Sequence, residues 1–174
     1  INDYLYYSDD NGSVQAYVDK LNEIKRNPDI RGLVLEVYSG GGQDTASDYI
    51  GNAVAALSAV KPVVVYGHTL ASGAYLMAVN ANIIVASSGL SRIGSIGSYI
   101  PLDRFYRDIY STYMQDVYAE QSTEKNADFR EWISDERVEL YQKRANASAD
   151  YFISKVRMKR PYVSEDAYKG GLYD

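Results

Sequence analysis

The chain of 174 residues has no cysteine and a single histidine, His68. Disulfides, thiolate metal sites and His-rich metal sites are therefore excluded. Basic charge is also short: 18 Lys and Arg face 23 Asp and Glu, a net charge of −5. No overall positive field draws the chain to nucleic acid or to an anionic membrane. No apolar run reaches the roughly 18–20 residues that cross a bilayer. Residues 1–10 are polar and acidic, unlike a signal peptide, and the first residue is not Met, so a fragment of a longer chain is expected. No cofactor is implied.

What is present is ordinary for a soluble globular domain. Apolar residues make up 46% of the chain and charged residues 24%, enough apolar material for a core. Only one Trp and three Phe occur, against 18 Tyr, a residue that packs through its ring while keeping a polar tip and so suits subunit contacts.

The order of elements is regular. Residues 3–7 read as a short strand. Residues 12–26 carry Val14, Tyr17, Val18, Leu21 and Ile24 at helical spacing. Residues 31–38 hold the near-continuous apolar run Leu33-Val34-Leu35 and Val37, which predicts a strand covered on both faces. After Ser39-Gly40-Gly41-Gly42, Asp44 or Thr45 is placed to cap a helix to about Val60, with Tyr49, Ile50, Val54, Leu57 and Val60 as its apolar set. Residues 62–66 read as a buried strand, 72–80 as a helix, 83–86 as a strand and 92–99 as a glycine-punctuated strand or loop. A helix from Pro101 through Tyr110, a strand over 114–119, a largely helical stretch over 127–158 and a short terminal element over 162–174 complete the series. This alternation predicts one α/β domain over residues 1–174, a mainly parallel sheet flanked by helices. Its glycine turns fall after strands and before helices, where open α/β folds gather ligand-binding groups.

Two of those turns hold candidate chemistry. Ser72, in Thr69-Leu70-Ala71-Ser72-Gly73-Ala74-Tyr75, opens an apolar helix whose N-terminus offers free amides and partial positive charge. The Gly73 amide is placed to meet an oxyanion. Taken alone, Ser72 reads as a plain N-cap. The Gly40-Gly41-Gly42 run lets backbone approach a ligand with φ above zero and present amides to it, although a tight turn is the commoner meaning. No Gly-Lys-Ser/Thr follows, so this is not a phosphate-binding Walker loop. His68, four residues before Ser72 and placed on the connection from strand to helix, reads as a partly buried loop histidine rather than as the base of a Ser–His–Asp triad. A lysine whose burial lowers its pKa is the other way to activate a serine, and no lysine stands out by pattern.

Four motifs in order make the chain resemble the S49 peptidases, the signal peptide peptidase A family, whose phage branch includes capsid-assembly proteases. Ile30-Arg31-Gly32-Leu33-Val34-Leu35-Glu36-Val37-Tyr38-Ser39-Gly40-Gly41-Gly42 is similar to the family strand that ends in Asn-Ser-Pro-Gly-Gly. Lys61-Pro62-Val63-Val64-Val65, leading to Ala71-Ser72-Gly73-Ala74-Tyr75-Leu76-Met77-Ala78, resembles the nucleophile motif. Ile93-Gly94-Ser95-Ile96-Gly97-Ser98 resembles Thr-Gly-Ser-Ile-Gly. Tyr118-Ala119-Glu120-Gln121-Ser122-Thr123-Glu124-Lys125-Asn126, then Phe129-Arg130-Glu131, resembles the segment with the catalytic lysine, in a form closest to phage and prophage members. Tyr38 and Gly40 depart from the family's asparagine and proline.

The resemblance implies a ClpP/crotonase-type fold and a serine endopeptidase. Ser72 would be the nucleophile, Lys125 the base, and Gly73 with Gly41 or Gly42 the oxyanion hole. Ser95 would orient Lys125 or line the cleft. It implies a protein or peptide substrate and a homo-oligomer in which Lys125 can serve a neighbouring protomer. The phage branch places the activity in the host cytoplasm or procapsid, and a signal-peptide peptidase would be membrane-associated. The C-terminal Ala167 to Asp174 resembles the family's closing Ala-x-x-x-Gly-Leu-Val/Ile-Asp, which places the end near the domain's natural limit. The rivals are a crotonase-type acyl-CoA hydratase or isomerase, disfavoured because no Glu stands at the Ser72 turn, and a catalytically silent assembly scaffold.

Overall fold

A computed structural model describes residues 13–102, 117, 119–121 and 135–173. The expected strand over 3–7 and nearly all of the elements expected from 103 through 134, Lys125 among them, lie outside the described residues. The chain divides into two compact units, Ile1–Ser98 with Ser148–Asp174, and Tyr99–Ala147.

The first unit is built on a five-stranded sheet. Helix α1 (Val14–Arg26) precedes strand β1 (Leu33–Ser39), which leads through the glycine turn to α2 (Asp44–Ser58). Strand β2 (Val63–Ala71) runs directly into the short α3 (Gly73–Ala78), and β3 (Ile83–Ala86) and β4 (Arg92–Gly94) follow. The long helix α4 (Asp135–Lys159) begins in the second unit and ends in the first. A 3-10 turn (Glu165–Lys169) and strand β5 (Leu172–Tyr173) form the expected terminal element.

β2 is the central strand. It pairs in parallel with β1 along one edge, while β3 and then β4 share its other edge, also in parallel. Among the described strands only β5 is antiparallel, against β4. The sheet is thus mainly parallel with helices packed on it, the α/β class expected from the alternation.

Local chemistry accounts for the helices. Ser13 Oγ accepts the Ala16 amide at 3.1 Å and caps α1, a contact worth about 1 kcal/mol. Val14, Val18, Leu21 and Ile24 are the face it buries. Lys61 Nζ donates to the Ile24 carbonyl at 2.6 Å and to the Asn27 carbonyl, so a cation closes the negative end of α1. In α2 the cap differs from expectation. Gln43 is the cap residue without a side-chain bond, and Asp44 is already helical, its carboxylate bonding the Thr45 amide. Ile50, Val54 and Leu57 are buried as expected, whereas Tyr49 and Val60 are exposed, because the helix stops at Ser58 before Val60 can turn inward. In α4, Phe152 and Val156 are buried and Val138 is exposed.

Two strand expectations change. The β1 run is not covered on both faces: Val34 is 69% exposed and Tyr38 59%, while Val37 and Ser39 are buried. Side chains alternate between the faces, and only one of the two meets the core. Strand β2 also runs five residues beyond Tyr66, held on both edges by β1 and β4. His68 therefore lies on the strand rather than on the connection.

His68 is also the extra residue of a bulge. Val37 pairs with Gly67 and Tyr38 with Thr69, leaving His68 unmatched. Before the bulge the odd positions Val63, Val65 and Gly67 are buried, and after it the adjacent Leu70 and Ala71 are both buried. One inserted residue changes which side chains face the core.

Candidate active site

Ser72 joins β2 to α3 in a conformation that few non-glycine residues adopt, φ 51° and ψ −125°. Such strain costs about 1–3 kcal/mol and persists where the surroundings over-determine it. Here they do. The Ser72 amide donates to the Gly94 carbonyl at 2.9 Å, and the Ser72 carbonyl accepts from the Tyr75 and Leu76 amides at 2.9 and 3.0 Å. The hydroxyl makes no capping bond to α3. The plain N-cap meaning of Ser72 therefore fails, because a cap spends its oxygen on the helix amides. A serine on a tight strand-to-helix turn is also the geometry that exposes a nucleophile.

The glycine turn after β1 closes on this serine. A side chain added to Gly41 would lie 2.8 Å from both the Gly73 nitrogen and Ser72 Cβ, and 2.9 Å from the Ala71 carbonyl oxygen. A side chain added to Gly73 would lie 3.3 Å from the Gly42 nitrogen. Backbone φ is +107° at Gly41 and +149° at Gly42, a region where side chains are disfavoured. Gly41, Gly42, Ser72 and Gly73 are thus brought together from two separate strand ends.

The amides are not equivalent. The Gly41 N–H donates to Ser39 Oγ at 3.2 Å. The Gly42 and Gly73 nitrogens lie where the two turns approach most closely. Ser95, like Ser72, has φ of 51°. It follows Gly94, which pairs with Ala71, so the strand ends of β2 and β4 place Ser95 next to Ser72 in the sheet. Its amide is held by the Gly171 carbonyl at 2.6 Å.

No described base reaches Ser72. His68 Nε2 lies 2.7 Å from Glu36 Oε1, and Nδ1 lies 2.9 Å from Ser87 Oγ, so both ring nitrogens are engaged elsewhere. Burial raises the pKa of Tyr75, with Arg160 opposing and Tyr168 adding to the rise, so its phenol stays protonated and is no base for Ser72. Lys125 lies outside the described residues. His68→Ala is expected to leave the cleavage rate within about twofold of wild type in a peptide-hydrolysis assay. A loss of a hundredfold or more would make His68 the base.

Two serines that the sequence did not single out shape the site. Ser39, buried at the end of β1, holds the Gly41 amide. Ser47, fully buried in α2, lies against Gly73. The signal for the second was the pair Ser47 and Gly51, four residues apart on α2. A side chain on Gly51 would lie 2.9 Å from Asn80 Nδ2 and 3.4 Å from Met77 Cα. Small residues at this spacing let two helices approach closely.

The family model described as peptidase family S49 matches residues 55–171, a span that takes in Ser72, Gly73, Ser95 and Lys125. The chain belongs to peptidase family S49. A protein of Methanocaldococcus jannaschii named as a protease is 30% identical over 183 residues, covering 91% of this chain and 56% of its own length. The chloroplastic serine protease SPPA of Arabidopsis thaliana is 27% identical over 181 residues, covering 92% of this chain and 26% of its own length. This S49 chain thus spans about half or less of those two relatives. Among solved structures, a membrane-bound stomatin-specific protease variant has a TM-score of 0.45 at 16% identity, covering 65% of this chain and 57% of that one.

Proposed function

We propose that this chain is a serine endopeptidase that cleaves protein substrates with a Ser72–Lys125 dyad. The observation that carries the reading is the strained Ser72 turn enclosed by Gly41, Gly42 and Gly73, with its hydroxyl free of the helix. Ser72 Oγ forms a bond to the scissile carbonyl carbon while Lys125 Nζ, as neutral amine, takes the hydroxyl proton. The carbonyl electron pair moves onto oxygen, where the Gly42 and Gly73 amides stabilise it. Collapse breaks the C–N bond, and Lys125 gives its proton to the leaving nitrogen. Water then attacks the acyl-serine, Lys125 takes the water's proton and returns it to Ser72 Oγ, and the carboxylate product leaves.

The family resemblance supports a homo-oligomeric enzyme in which Lys125 completes a neighbouring protomer's site. The Ser122-Thr123-Glu124-Lys125-Asn126 form supports a capsid-maturation role. A preference for signal-peptide cores would assign the chain to membrane-associated signal-peptide processing instead.

The test is digestion of unfolded casein by native protein and Lys125→Ala, read by mass spectrometry. Removing the base is expected to slow cutting by at least about 100-fold. Lys125→Ala mixed with Ser72→Ala is expected to recover cleavage, because one protomer supplies each missing group. Recovery that fails in assembled mixtures places both groups in one protomer. Full activity of Lys125→Ala would remove the lysine from the mechanism.

A further inference from the structure

Two turns must keep a fixed separation for their amides to share one oxygen: the glycine turn after β1 and the Ser72-Gly73 turn after β2. One side chain touches both. Ser47 is the fourth residue of α2 and is fully buried. Its Oγ donates to the Gln43 carbonyl at 2.8 Å, and its own amide bonds the same carbonyl at 3.0 Å. Gln43 directly follows Gly42, so this paired contact anchors the exit of the glycine turn. On the other side, a side chain on Gly73 would overlap Ser47 Oγ and lie 3.1 Å from Ser47 Cβ.

A serine that bonds the carbonyl four residues back is common in helices and by itself carries nothing. Here the same hydroxyl also fills the space above Gly73 that a side chain would take. We propose that Ser47 is a positioning residue of the peptidase, its hydroxyl fixing the distance between the Gly42 and Gly73 amides. The proposal rests on the reading of Ser72 as nucleophile with those two amides as its oxyanion hole.

Alanine at 47 would free the Gln43 carbonyl of one bond and leave a gap of one oxygen atom between α2 and Gly73. Oxyanion donors act through their placement on the transition state, so the loss falls on turnover rather than on substrate binding. The ground-state complex makes its contacts along the whole peptide and is little changed.

The experiment compares the full chain, Ser47→Ala and Ser72→Ala on a fluorogenic peptide that carries a cut site from the casein digest. Rates are expressed per active site titrated with a fluorophosphonate, and thermal melts are recorded alongside. For Ser47→Ala, kcat is expected to fall about 10- to 100-fold, with KM within about twofold. A purely structural role predicts a lower melting temperature and fewer titrated sites with kcat per site unchanged, and that result overturns the proposal while leaving the peptidase reading intact. A wild type that neither cuts nor takes the label at Ser72 overturns the peptidase reading, and this proposal with it.

Discussion

Ser72→Ala is expected to lower peptide cleavage by about a thousandfold or more without lowering thermal stability. The loss is large because the proposed nucleophile and base act as a unit, and the proposed amide donors would only bind and polarise the carbonyl. Stability is spared because the Ser72 side chain has no capping role and the turn is held by backbone bonds to Gly94, Tyr75 and Leu76. A second substitution separates chemistry from strain. Ser72→Gly is expected to be equally inactive yet to melt higher, since φ of 51° with ψ of −125° suits a residue without Cβ. Relief of about 1–3 kcal/mol of strain, less about 0.4–1 kcal/mol for the added freedom of the unfolded chain, leaves a net gain of about 1 kcal/mol. The measurements are casein digestion and calorimetric melting of the three proteins. Cleavage that survives both substitutions would remove Ser72 from the site. A lower melting temperature for Ser72→Gly would show that the side chain stabilises a turn that its backbone geometry says it strains.

The strands and helices that frame this site were legible because they follow from period and punctuation. Of the apolar set of α1, Val14, Val18, Leu21 and Ile24 are buried and Tyr17 is partly buried beside them, and the Ala71-Ser72-Gly73 break marks the junction of β2 and α3. What escaped the sequence depends on pairing across the sheet. Gly67-His68-Thr69 reads as a connection after the strand, yet β1 pairs with Gly67 and Thr69 and β4 with Thr69, and the bulge at His68 becomes visible only when Val37 and Tyr38 are set against Gly67 and Thr69. The run around Val34 looks the same whether one face or both are covered, because hydrophobicity reports what a residue tolerates rather than what packs on it. Ser39 and Ser47 resemble any turn or helix serine until Gly41 and Gly73 are seen against them. His68 shows the opposite error that sequence distance invites. Four residues from Ser72 along the chain, it is tied to Glu36 and Ser87.

Gly41→Ala is expected to destabilise the fold by about 3 kcal/mol or more and to abolish cleavage in whatever fraction still folds. Two independent costs meet at this position. The backbone has φ of +107°, which an alanine adopts only with strain. The added Cβ would also fall 2.8 Å from the Gly73 nitrogen and 2.9 Å from the Ala71 carbonyl oxygen. Both are backbone atoms at the junction of β2 and α3, which the pairing of Ala71 and the Ser72 amide with Gly94 holds in place, and cannot rotate aside as the tip of a flexible side chain would. The turn after β1 must retreat or the Ser72 junction must move, and either response separates the Gly42 and Gly73 amides. Gly89→Ala is the matched control, because a Cβ there meets nothing within 4 Å, and its stability is expected within about 0.5 kcal/mol of wild type. Denaturant melts of both variants, with casein digestion at a temperature where Gly41→Ala remains folded, separate the costs. A folded Gly41→Ala that still cuts at the wild-type rate would show that this close approach is packing alone and that the oxyanion is held elsewhere. A folded and silent Gly41→Ala beside an active Gly89→Ala would tie the activity to the meeting of the two turns at Ser72.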